Sequence, residues 1–159
     1  GVYMHNVHAS GGFDMMKAAM ERNREVAERL GIGRPKLLAV TLLTSIDEAA
    51  LRGELGVARS VEDHVVSLAM LAKRAGLDGV VASPKEIRAI RTSCGGDFLI
   101  VTPGVRPSWA SAGDQKRFTT PREAVEAGAD LLVIGRPIIQ AEDPRKAAER
   151  IREEIEGRD

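Results

Sequence analysis

Five short strand-like segments recur along this chain with room for one or two helices between each pair. They are Val2–His8, Lys36–Leu43, Asp78–Ala82, Phe98–Thr102 and Leu131–Ile134. The last shows the type most clearly: after Asp130 come four apolar residues with no polar alternation, the pattern of a parallel strand buried on both faces. Helical periodicity fills the intervals. Phe13–Leu30 carries an apolar stripe and stops at Gly31, Ser60 caps Val61–Ala75, and Asp143-Pro144 opens a helix to about Glu156. In that last helix Ala147, Ala148, Ile151 and Ile155 are the expected inward residues. Ser83-Pro84-Lys85-Glu86 and Thr120-Pro121-Arg122-Glu123 both read as capping boxes with proline at the first helical position. Strand–helix alternation of this kind means a parallel sheet with helices outside it.

Two architectures satisfy that pattern, an open doubly wound sheet and a barrel. No strand is followed by a glycine-rich dinucleotide fingerprint, since Ser10-Gly11-Gly12 lacks the spacing. The absence favours a (β/α)8 TIM barrel. A whole barrel takes about 250 residues, and this chain has 159. We therefore expect an N-terminally truncated partial barrel of about five parallel strands with outer helices. Residues 1–159 would be the C-terminal part of one barrel domain. The opening Gly1-Val2-Tyr3-Met4, without an initiator methionine, fits that expectation.

Composition excludes little but helps. Basic and acidic residues balance at 23 each, so no nucleic acid or membrane surface is called for. Cys94 is the only cysteine, and no apolar run approaches the ~20 residues of a membrane span. A cytoplasmic location is the simpler expectation.

In a barrel, ligand groups gather at the C-terminal ends of the strands. Those ends supply His8 and Ser10, Thr44 and Ser45, Ser83, the run Thr102-Pro103-Gly104-Val105-Arg106-Pro107, and Gly135-Arg136. This inventory is rich in anion and hydrogen-bond donors and holds no nucleophile–base pair. Gly135 lets a ligand approach the backbone, Arg136 can fork onto phosphate oxygens, and Pro137 suits the start of a helical turn whose N–H groups would face the same anion. Val105–Thr119 is a long loop with small residues that suit a lid, and its Gln115 carries both a donor and an acceptor. His5 and His8 stand an odd number apart, which puts them on opposite faces of a strand, where they cannot share a metal without a bulge. No zinc-type Cys/His spacing occurs.

Asn6–Gly12, Ala39–Ser45, Gly76–Ser83, Val101–Pro107, Gly113-Asp114-Gln115 and Val133–Pro137, taken in order, resemble orotidine 5′-phosphate decarboxylase of the bacterial type. The resemblance runs the whole length of the chain. It implies a (β/α)8 barrel, usually a homodimer, that makes UMP from orotidine 5′-monophosphate with neither metal nor organic cofactor. By position, Thr44 matches the pyrimidine contact and Arg106 an arginine of the substrate-binding loop. Gln115 matches the glutamine linking phosphate to base, and Gly135 with Arg136 matches the phosphate grip. Pro103 and Gly104 match the turn below the lid.

One departure is large. The family's proton-donating lysine sits in an Asp-x-Lys-x-x-Asp motif, which does not occur here. No catalytic residue is therefore expected in this chain; the motif belongs upstream of Gly1, and the piece alone is expected to be inactive. Two other readings share the phosphate cup: a sugar-phosphate barrel such as a hexulose-phosphate synthase or pentose-phosphate epimerase, and a non-enzymatic phosphate-binding module.

Overall fold

The computed structural model describes residues 1–110 and 119–157. Its sheet contains β1 (Met4–His8), β2 (Lys36–Val40), β3 (Gly79–Val81), β4 (Leu99–Pro103) and β5 (Leu131–Val133). Spatial order equals sequence order, and every neighbouring pair is parallel. A doubly wound sheet reverses its order at a switch point. No reversal occurs here, so the winding is that of a barrel wall.

Register sorts the side chains into two faces. Leu37, Ala39, Val80 and Ile100 belong to the main apolar cluster, with half-buried Val7 packed against it; the cluster also takes in Met16 and Met20 of α1 (Gly12–Leu30) and Val65, Ala69 and Ala72 of α3 (Val61–Arg74). Ile87 and Ile90 of α4 (Ile87–Cys94) complete that layer. Burying each large aliphatic side chain there stabilises the fold by about 1.5–3 kcal/mol. The other face carries Asn6, Leu38, Gly79 and Leu99 in one paired row and His8, Val40, Val81, Val101 and Leu131 in the next. This is the inner face of the wall. Three short helices lie after β2, β4 and β5: α2 (Glu48–Gly53), α5 (Pro121–Glu126) and α6 (Arg136–Ile139). The final helix, α7 (Pro144–Glu156), packs on α5 and α6.

Strand ends aside, the structure corrects three expectations. β5 is not buried on both faces: Leu131 is 39 % and Val133 53 % exposed. The cause is position, because β5 is an edge strand hydrogen-bonded only to β4. In α7 the inward residues are Ala147, Ile151 and Glu154, whereas Ala148 is exposed. The stripe follows steps of four and three residues, and a carboxylate occupies its third position. Of the two proposed capping boxes, only Thr120–Glu123 forms. There the Glu123 amide donates to Thr120 Oγ1 at 3.2 Å and the Thr120 amide to Glu123 Oε2 at 2.8 Å. At Ser83 the hydroxyl instead accepts from the Lys85 amide at 3.3 Å, within a 3₁₀ turn over Pro84–Glu86.

Candidate functional site

Where β2, β3 and β4 end, their inner-face residues enclose a hollow of about 200 Å³. Val40 and Val81, paired in register, form an apolar wall with Pro103 of β4 beside them. Thr44, four residues past the end of β2, places its side chain at the lip. Its methyl group also lies against the turn after β4: a Cβ built on Gly104 would stand 3.8 Å from Thr44 Cγ2. Gly104 has φ of +77°, a conformation open to glycine and strained for other residues. The β2 and β4 exits thus come near each other at these two residues.

Thr44 is shared with a second, larger cavity of about 630 Å³ that reaches outward to Val61 and Val65 of α3 and to the Ser83–Glu86 turn. Gly104 and Thr119 line it as well. Its acidic residues are partly committed to structure. Asp47 caps α2 by accepting from the Ala50 amide at 2.9 Å, and Glu48 accepts from the Val61 amide at 2.7 Å. Glu86 is different. Only 6 % exposed, it has its carboxyl pushed above the usual glutamate range by burial, against the opposing pull of the Ser83 hydroxyl and the Lys85 charge.

The second polar patch lies where β4 and β5 end. Gly135 precedes α6, and a Cβ placed on it would meet nothing within 4 Å, so the space above its backbone is open to a ligand. Arg136 is exposed and makes no ion pair among the described residues. Ile138 and Ile139 both donate their amides to the Gly135 carbonyl, at 2.9 and 3.0 Å. Pro137 has no N–H, so the donors this turn offers reduce to the Arg136 guanidinium and the first amides. On the adjoining exit, half-buried Arg106 donates its backbone N–H to the Thr119 carbonyl at 3.1 Å, beside a parallel bridge between Val105 and Thr119.

Residues 1–151 match the sequence model of the orotidine 5′-phosphate decarboxylase / HUMPS family. This chain belongs to that family. It is 57 % identical over 156 residues to the orotidine 5′-phosphate decarboxylase of Moorella thermoacetica, covering 98 % of this chain and 62 % of that protein. The protein of the same name from Trichlorobacter lovleyi is 58 % identical, with 98 % and 63 % covered. The crystal structure of orotidine 5′-phosphate decarboxylase from Lactobacillus acidophilus superposes with a TM-score of 0.83 at 42 % identity, over 98 % of this chain and 64 % of that one. The chain therefore spans a little under two thirds of the length of these relatives. Five parallel strands with outer helices are a corresponding share of the family's barrel.

Set within this decarboxylase family, the expected site residues fall into two groups on one rim. Thr44 stands at the lip of the inner hollow, whereas Arg106, Gly135 and Arg136 occupy the adjoining β4 and β5 exits and line neither cavity. Two strand spacings, about 10 Å in a flat sheet, separate the β2 exit from that of β4. Gln115, with Gly113 and Asp114, lies outside the described residues. His5 and His8 do fall on opposite faces, paired with core-facing Leu37 and hollow-lining Val40 respectively. Two residues escaped the sequence reading. Glu86 was hidden by its resemblance to a capping residue, and Glu154 by the rule that helix carboxylates face water.

Proposed function

We propose that this chain is the C-terminal part of one barrel domain, residues 1–159, of an orotidine 5′-monophosphate decarboxylase that forms UMP and CO₂. Its share of the work is to hold the pyrimidine and the phosphate. The observation that carries this reading is the division of the rim. Thr44 stands over an apolar hollow formed by Val40 and Val81, while two arginines and an open glycine backbone occupy the neighbouring exits. An apolar wall with two hydroxyl residues, Thr44 and Ser45, beside it suits the face and edge of a planar base. Guanidinium groups suit a phosphate dianion, and each charge-assisted hydrogen bond contributes about 1.5–3 kcal/mol.

In this reading Thr44 addresses the base, Arg106 and Arg136 hold the phosphate with the Gly135 amide, and Gln115 spans the two. Decarboxylation breaks a carbon–carbon bond and leaves an electron pair on a ring carbon, which then takes a proton. The family's lysine motif that supplies it is absent from these 159 residues. This chain's own residues therefore bind, orient and exclude water, using the remote phosphate's binding energy to fix the base. The whole enzyme would be a cytoplasmic homodimer acting on a soluble nucleotide without a cofactor. Net neutrality and a single cysteine over these 159 residues suit the location alone. No helix among the described residues is long and apolar enough to cross a membrane.

The test is a UMP titration of the chain followed through Trp109, its only tryptophan. Saturable binding that weakens roughly 10- to 100-fold in Arg136→Ala is expected, from the loss of charge-assisted bonds. Equal affinity for UMP in the two proteins would overturn the phosphate assignment.

A further inference from the structure

The peptide that follows Arg106 is fastened to α7 rather than to the sheet. Glu154 is only 4 % exposed, and both of its carboxylate oxygens accept from the Ser108 amide at 3.2 Å. Its neighbour one turn earlier, Arg150, stacks its guanidinium 4.7 Å from the centre of the Trp109 ring. The Trp109 indole N–H is buried and has no acceptor among the described residues, so stacking and packing hold the ring. Between these contacts and Arg106 lies Pro107, which is fully buried. On the other side of Arg106, the Val105–Thr119 bridge and the Arg106 amide bond close the base of the loop. Arg106 is thus anchored on both flanks.

A buried carboxylate is costly unless its hydrogen bonds offset the loss of water. Glu154 spends this cost on the amide two residues after an arginine of the proposed phosphate patch. We propose that Glu154 and Arg150 are positioning residues for nucleotide binding: they fix the Arg106–Trp109 backbone to α7 so that the Arg106 guanidinium is presented to the 5′-phosphate. The inference rests on the reading of the site given above and assigns a role to a helix outside the strand exits that form it. Fixing the backbone in advance lowers the ordering cost paid when the ligand binds.

Calorimetric titration of the chain with UMP, and separately with uridine, tests this. Glu154→Ala should weaken UMP binding about tenfold, the equivalent of one hydrogen bond to a charged group, and leave uridine binding unchanged. Glu154→Gln keeps an acceptor for the Ser108 amide and should recover most of the loss. Arg150 is exposed, so Arg150→Ala leaves the core intact and should weaken UMP binding roughly two- to fivefold through the lost cation–π contact; it decides the matter if Glu154→Ala does not fold. UMP affinity unchanged in both alanine variants, or an equal loss for UMP and uridine, overturns this inference alone. No binding of UMP by the unaltered chain overturns the reading of the site, and the inference falls with it.

Discussion

Arg34 and Asp78 stand 44 residues apart in sequence and meet across the N-terminal rim of the sheet, where the two terminal guanidinium nitrogens each donate to one carboxylate oxygen at 2.7 Å. The same carboxylate accepts the Leu37 amide of β2 at 2.8 Å, just before its own residue leads into β3. Two strands on, the arrangement recurs: Asp130, ahead of β5, accepts the Ile100 amide of β4 and the Arg91 guanidinium, each at 2.7 Å. Each aspartate latches the strand it precedes to the one before it. These latches lie at the end of the wall opposite Thr44 and Arg136, where barrels place stability rather than chemistry.

Removing the first latch should be expensive. In Asp78→Ala, Arg34 and the Leu37 amide lose their partner in a half-buried setting. The expected loss is about 2–4 kcal/mol, read from urea unfolding. The pH dependence follows. Burial pushes the Asp78 carboxyl up, but the Arg34 and Leu37 bonds and the Lys36 charge outweigh it and hold the group below the ordinary aspartate range. A lowered pKa gives stability that is fully present above the unfolded value and lost as pH falls through the folded one. Acid melts of the unaltered chain should therefore show a loss of stability below about pH 4 that Asp78→Ala lacks.

Glu86 should behave with the opposite sign. Burial raises its carboxyl above the glutamate norm, so the stability it contributes is present below the unfolded pKa and lost as pH rises through the folded one. Glu86→Gln removes that titration. Its stability relative to the unaltered chain should rise between roughly pH 4 and neutrality, measured by thermal melts across that range. A flat difference would show that the carboxyl titrates alike in the folded and unfolded states.

Gly79 opens β3 opposite Leu99 of β4, and a Cβ there would run into the Leu99 carbonyl and side chain. The obstacle includes backbone and cannot rotate away. Gly79→Ala should destabilise the chain by about 1–3 kcal/mol, whereas Gly33→Ala, with nothing within 4 Å of the new carbon, should stay within about 0.5 kcal/mol. Paired urea melts compare the two.

Local pattern made the strands and most helices legible. Strand ends are the exception: β2 stops at Val40 instead of Leu43, after which both the amide and the hydroxyl of Thr41 turn to the Val81 carbonyl, at 3.1 and 2.9 Å. A capping box at Thr120 was readable because both of its bonds are made within four residues, but the same letters at Ser83 gave a 3₁₀ turn and freed Glu86 for the cavity. The Arg34–Asp78 and Arg91–Asp130 latches were invisible because periodicity carries no information about partners some 40 residues away. The strand exits that carry Thr44, Arg106, Gly135 and Arg136 could be located from sequence, and the resemblance alone supplied the roles proposed for Thr44 and Arg106. Their distribution into two patches depends on how far the wall curls, which no single segment encodes.

Leu131 and Val133 mark that curl. Paired with Val101 and Pro103, they continue the inner face past the hollow, yet both side chains meet solvent along an edge strand whose ladder has a neighbour on one side only. Exposed apolar side chains beside unpaired strand groups invite association with another chain. The isolated 159-residue chain should therefore self-associate with rising concentration and bind a hydrophobic dye. Val133→Lys puts a charge on the same edge at a position 53 % exposed, so little packing is lost and stability should change by no more than about 0.5 kcal/mol. Sedimentation velocity should then show the variant shifted toward monomer and dye fluorescence reduced. Unchanged sedimentation in Val133→Lys would mean that association proceeds through a different surface, with Leu43 and Leu55 beyond β2 the next exposed apolar residues to replace.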